Sequence, residues 1–148
     1  REILAHGGYH RYEISNYARP GYECRHNITY WKRGDYLGFG LGAASLMKNC
    51  RFANAGVLAE YEGGLHREER QLSVQEQMEE FMFLGLRLTE GVTCGAFWDA
   101  FHVSIENIYG SVLKKLECQG LLAREGERIF LTGPGIDVSN MALAEFLL

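Results

Sequence analysis

Residues Arg25 to Trp31 read RHNITYW, which places a guanidinium, an imidazole, an amide and two large aromatic rings within seven positions. His26 offers an imidazole nitrogen to a metal, and Asn27 an amide that can fix a tautomer or hold a loop carbonyl. Tyr30 and Trp31 supply apolar ring faces with polar edges. Arg25, Lys32 and Arg33 add cations, arginine as a bidentate fork for carboxylates and lysine as a mobile point charge. A large flat ring bearing anionic groups suits that set, a porphyrin with its propionates being one, and His26 is then the candidate metal ligand. The same residues also serve as a structural loop, with His26 bonded to backbone and Trp31 plugging a core. Glu13, within YEISN, is a second candidate: its carboxylate can orient a ligand amine or hydroxyl, or make a local ion pair.

The stretch YLGFGLGAASLM, from Tyr36 to Met47, carries Gly38, Gly40 and Gly42 and predicts a strand stripped of side chains on one face. Such a face costs chain entropy and packing, and close approach by a ligand or by another backbone compensates; a tight strand crossing or bulge is the other reading. No Gly-Lys-Ser/Thr follows GFGLGA, and the acidic residue of a dinucleotide site is not evident.

Cys24, Cys50, Cys94 and Cys118 are scattered, with no CxxC pair, which argues against an iron–sulfur or zinc site built from this sequence alone. Neither Cys24 nor Cys50 has a neighbouring base that would define a thiol nucleophile. The formal net charge is −4, from 15 basic and 19 acidic residues, and residues 72–148 hold five of the former and eleven of the latter. That field repels nucleic-acid phosphates. No stretch approaches the ~18 apolar residues of a membrane span, and the N-terminus lacks a secretory signal, so a cytoplasmic protein is expected. The first residue is arginine, and a piece of a longer protein is expected.

The elements that position these residues divide into two units, 1–71 and 72–148, with a boundary near Glu68 to Gln71. In the first, HRYEISNYA alternates as a short strand stopped by the turn Arg19-Pro20-Gly21. Asn49 to Gln71 reads as a strand or short helix and a connector. In the second, SVQE from Ser73 to Glu76 predicts a capping box, Met78, Phe81, Met82 and Gly85 recur at helical spacing as core, Gly85 permits a close crossing, and Gly91 ends the segment. Thr93 and Ser104 cap two further helices, the second with an apolar stripe from Ile105 to Leu116 closed by Gly120. Two short strands around Glu125-Gly126 and a final helix from Ile136 to Leu147 complete a winged-helix-like arrangement. Its charges cancel, Arg124 and Arg128 against Glu125 and Glu127, so this unit packs or faces a partner rather than reading DNA.

YEISNYARPG, CRHNITYW, YLGFGLGAAS and LGLRLTEGV, in this order, resemble the C-terminal half of the radical S-adenosylmethionine proteins related to oxygen-independent coproporphyrinogen III oxidase, within their haem-chaperone (HemW) branch. The resemblance covers essentially the whole chain. It implies an α+β fold: terminal strands of a partial (β/α) barrel followed by a winged-helix-like C-terminal helical domain. It implies haem binding and transfer to an acceptor protein, with His26, Asn27, Tyr30 and Trp31 standing at the family's HNxxYW motif and His26 as the haem-associated residue. Peripheral contact with respiratory haemoproteins is implied as well. The family's CxxxCxxC motif, which carries a 4Fe–4S cluster beside S-adenosylmethionine, is absent, and a family pattern Ala-His-Ser stands here as Ala43-Ala44-Ser45. The other activities the resemblance leaves open are an oxygen-independent porphyrinogen decarboxylase and a nonenzymatic module in which residues 72–148 dock on a barrel or a partner.

Overall fold

The structure, a computed structural model, describes residues 2–64 and 69–148. Glu68, at one edge of the expected boundary, lies outside the described residues. Helix α1 (Glu2–His6) leads into strands β1 (His10–Arg11) and β2 (Tyr17–Ala18), an antiparallel pair. Helix α2 follows (Arg25–Trp31), then strands β3 (Ala44–Met47) and β4 (Cys50–Ala53). These two form a hairpin whose tip, Lys48-Asn49, has positive φ at both residues, the geometry that matches a two-residue turn to strand twist. Helix α3 (Leu58–Glu62) and strand β5 (Arg70–Gln71) complete this half, β5 extending the sheet in the order β3-β4-β5.

The second half opens with α4 (Val74–Gly85), and the capping box is present: Ser73 Oγ accepts from Glu76 N–H, and Glu76 accepts from Ser73 N–H. Strand β6 (Val92–Thr93), helix α5 (Cys94–Phe101) and helix α6 (Ile105–Cys118) follow, with Thr93 and Ser104 capping the two helices as the sequence predicts. His102 ends α5 in the left-handed conformation. Strands β7 (Leu122–Glu125) and β8 (Arg128–Leu131) make the wing, and β6 pairs with β8 to give the order β6-β8-β7. The turn sits one residue later than expected, on Gly126 and Glu127.

The predicted closing helix is two short ones, α7 (Gly133–Asp137) and α8 (Ser139–Ala144). Val138, at φ −116° and ψ 30°, breaks the helical run, and Thr132 caps α7 through Gly135 N–H. Met78, Met82, Phe97, Tyr109, Leu113, Ile129 and Phe146 share the core of this half, where Phe97 and Phe146 stack edge-on against Tyr109. Burial raises the Tyr109 phenol pKa, and its hydroxyl has no hydrogen-bond partner among the described residues. Gly85 and Gly91 make the hairpin fit: a Cβ on Gly85 would overlap the Val92 side chain, and one on Gly91 would overlap the Ile129 carbonyl. Gly91 also has φ +71°.

Tyr12 to Ile14 runs beside Arg87 to Thr89, with Ile14 N–H donating to Arg87 O at 2.9 Å, Thr89 N–H donating to Tyr12 O at 3.1 Å, and Glu13 bridged to Leu88. The two halves are thus joined by backbone pairing. Short antiparallel sheets, none closed among the described residues, followed by C-terminal helices give a mixed α/β architecture. Among the described residues no helix is long and apolar enough to cross a membrane.

Candidate functional site

The stretch Arg25–Trp31 is helix α2, and the loop considered for it is corrected. A helix arranges its residues by i, i+4 pairs, so His26 meets Tyr30, and Asn27 shares a side with Trp31. His26 Nε2 lies 2.9 Å from Tyr30 Oη, with the rings edge-to-face at 4.7 Å. When Nε2 carries the proton and donates to Tyr30, Nδ1 keeps a lone pair free for a metal. The imidazole is exposed, and among the described residues it is bonded to Tyr30 rather than to backbone. Tyr30 in turn meets Tyr36 edge-to-face at 4.4 Å. Burial holds the Tyr36 phenol pKa above its ordinary value.

Tyr36 begins the glycine segment, and the strand expected from Tyr36 to Met47 is corrected: only Ala44–Met47 is strand, with Tyr36 bridged to Leu46. Gly38, Gly40 and Gly42 belong to a tight loop folded over the start of β3. Gly38 N–H donates to Ser45 Oγ at 3.0 Å, and Asn54 Nδ2 donates to the carbonyls of Gly38 and Gly40, each at 3.0 Å. Gly40 N–H donates to Tyr61 Oη, and Gly42 N–H to Ala55 O. A Cβ on Gly38 would overlap the Ala44 carbonyl, so the close approach there is to the chain's own backbone. Between the glycines, Leu37, Phe39 and Leu41 are exposed.

Trp31 takes the other side of α2. The Arg87 guanidinium lies over its ring at 4.4 Å and reaches toward Glu13, 3.6 Å away. Glu13 is fully buried and accepts from Ser15 N–H at 2.8 Å. The expected ion pair of Glu13 is therefore present, in the interior rather than at the surface. Trp31 is only half-buried and does not plug the core. The candidate residues thus fall into two groups: His26, Tyr30 and the glycine loop, linked through Tyr36, and Trp31 with Glu13, linked through Arg87. Tyr36, Asn54 and Arg87 were missed by sequence reasoning; Arg87 stands in LGLRLTEGV, but no spacing rule ties it to Trp31.

Beneath α2, Arg33 Nε donates to Glu80 Oε2 at 3.2 Å and its other arm to Asn49 at 3.0 Å, while Arg51 reaches Glu80 Oε1 at 2.7 Å. One buried carboxylate on α4 so holds two arginines of the first half.

The cysteines do not fit a 4Fe–4S cluster: they sit at the N-cap of α2, the start of β4, the start of α5 and the end of α6. Among the described residues no group of three or more His, Cys, Asp or Glu side chains is placed to hold a metal. Burial raises the Cys94 thiol pKa, and the neighbouring Glu106 adds to the effect.

Residues 72–138 match the model of the HemN C-terminal domain. They belong to that domain family. The HemN-type domain sits in a chain that aligns along 99% of its length with the haem chaperone HemW of Lactococcus lactis, at 40% identity, and with that of Bacillus subtilis, at 38%. Each alignment covers 40% of the relative, so the chain spans about two-fifths of the length of these curated proteins. In fold it resembles the radical S-adenosylmethionine enzyme coproporphyrinogen III oxidase (HemN) of Escherichia coli, with a TM-score of 0.75 over 99% of this chain and 38% of that one. At 16% identity this likeness concerns the fold alone. Over its whole length the chain is similar to the HemW haem chaperones in sequence and to HemN in fold.

Proposed function

We propose that this chain is the haem-holding and haem-presenting part of a haem chaperone, which passes haem to an acceptor protein in the cytoplasm, including respiratory haemoproteins that it contacts peripherally. The observation that carries the reading is the exposed His26 imidazole, steadied by Tyr30 so that one ring nitrogen stays open to iron. Haem is cargo here. His26 provides the axial nitrogen, and the Tyr30 and Tyr36 rings limit how the imidazole turns. Gly38, Gly40 and Gly42 keep the loop beside Tyr36 thin, so that a flat ring can approach with Leu37, Phe39 and Leu41 available to its apolar face. Trp31, on the other side of α2 with Asn27, and Glu13 behind it hold the helix against the C-terminal domain through Arg87.

The division at about residue 71 separates the cargo-bearing part from a docking domain, residues 72–148. A 4Fe–4S cluster and S-adenosylmethionine belong to the longer proteins of this family, and no residue described here is assigned to them. The similarity to the haem chaperones of Lactococcus lactis and Bacillus subtilis supports this reading over a porphyrinogen oxidase.

A haem titration followed by absorbance tests it on this chain, with His26→Ala and Tyr30→Phe alongside. The expected result is a saturable one-site spectrum, lost in His26→Ala and kept with altered band positions in Tyr30→Phe. An unchanged spectrum and affinity in His26→Ala would move the ligand elsewhere.

A further inference from the structure

Where the C-terminal end of α2 meets the HemN-type domain there is a cavity of about 530 Å³. Trp31, Phe81, Leu88, Val92 and Ala96 give it apolar walls, and Lys32, Arg33 and Arg128 bring three cations against the single carboxylate of Glu90. His26 is not among its lining residues, and neither is any cysteine, methionine or tyrosine, so the cavity offers no conventional haem-iron ligand. Its size is that of a small-molecule site.

The cavity is built from fixed parts. Phe81 is braced edge-on by Phe97 and Phe101, at 5.4 and 5.7 Å. Trp31 is covered by Arg87, which lines a neighbouring hollow and not this one. Gly85 and Gly91 also line it, at positions where a side chain would collide with Val92 or Ile129. Arg33 is nine-tenths buried, and it shares Glu80 with Arg51, so two guanidinium groups stand on one carboxylate. Glu80 is thus shared with the more exposed Arg51 and neutralises Arg33 only in part, and a ligand anion at the cavity wall would complete the neutralisation. At the mouth, Lys32 pairs with Glu90 at 2.8 Å, both more than half exposed, and such a surface pair opens at little cost. Arg128 lies over Phe130 at 4.3 Å and pairs with exposed Glu125.

We propose that this cavity is a second binding site, distinct from His26, for an apolar ring-bearing anion such as an aromatic carboxylate or sulfonate, its rings between Trp31 and Phe81 and its charge toward Lys32, Arg33 and Arg128. Binding there sets the contact between α2 and the HemN-type domain, because the walls come from both.

The test is a fluorescence titration of the chain with 1-anilinonaphthalene-8-sulfonate and with N-phenyl-1-naphthylamine, which has the same rings without the sulfonate. The folded state of each protein is checked by near-UV circular dichroism. Saturable one-site binding is expected, with the anion favoured by about tenfold, the scale of a charge-assisted contact. Lys32→Gln combined with Arg128→Gln should remove most of that preference. Ala96→Trp, which fills the cavity from an exposed position on α5, should weaken both probes at least tenfold. Equal affinity for the two probes in the unaltered chain overturns the charge assignment without any variant, and unchanged binding in folded Ala96→Trp overturns the location. Since His26 takes no part in this measurement, its outcome and that of the haem titration are independent.

Discussion

Glu80 shows how much one buried carboxylate can hold. It is 7% exposed, and it anchors Arg33 after α2 and Arg51 in β4 to helix α4. Replacing it by alanine leaves Arg33 buried without a counter-charge, which costs about 3 kcal/mol. Urea unfolding should show that loss, and Arg33→Met combined with Glu80→Leu should recover much of it. Neither residue announced this role, because Arg33 and Glu80 are 47 positions apart and no periodicity links a helix end to a later helix. His26 and Tyr30 were legible as candidates by type, and their pairing follows from the i, i+4 rule once the segment is helical. The helix itself was not legible: α2 has seven residues, buries none of them, and its cap residue Cys24 offers no side-chain hydrogen bond.

Helices α4, α5 and α6 were readable because their starts carry local chemistry that tertiary contacts do not need to supply. Ser73→Ala removes the first half of a two-way cap and should lower stability by about 1 kcal/mol, read from the denaturation midpoint. Gly91→Ala should cost more, because positive φ and the nearby Ile129 carbonyl oppose the same methyl group. A pH effect belongs to this scale too. Hydrogen bonding from Arg124 holds the Glu106 carboxyl below its ordinary 4.5, a depressed folded value, so its contribution is present above that range and fades as pH falls through the folded value. The pair is partly exposed, so the contribution is about 0.5 kcal/mol. Arg124→Met should therefore lose stability at pH 7 and lie closer to the parent at pH 3 in thermal unfolding. Other elements were misread for physical reasons. The glycine segment has the apolar alternation of a strand, yet Asn54 and Ser45 satisfy its backbone as a loop. The closing helix kept its apolar spacing while Val138 broke its backbone.

At the scale of the whole molecule, helix α2 stands between two surfaces. One side carries His26 and Tyr30, joined through Tyr36 to the glycine loop, and the other carries Trp31 under Arg87. Backbone pairing of Tyr12–Ile14 with Arg87–Thr89 ties that arrangement to the HemN-type domain. The proposed haem-presenting role needs such a layout, with cargo on one face of α2 and the other face held by the HemN-type domain. Chemical rescue tests most directly the proposed ligation of haem iron by the His26 imidazole. His26→Gly is titrated with haem, and free imidazole is then added while the absorbance spectrum is followed. The expected result is that the variant loses the ligated spectrum and that imidazole restores it. A parent-like spectrum in His26→Gly before imidazole is added would contradict it.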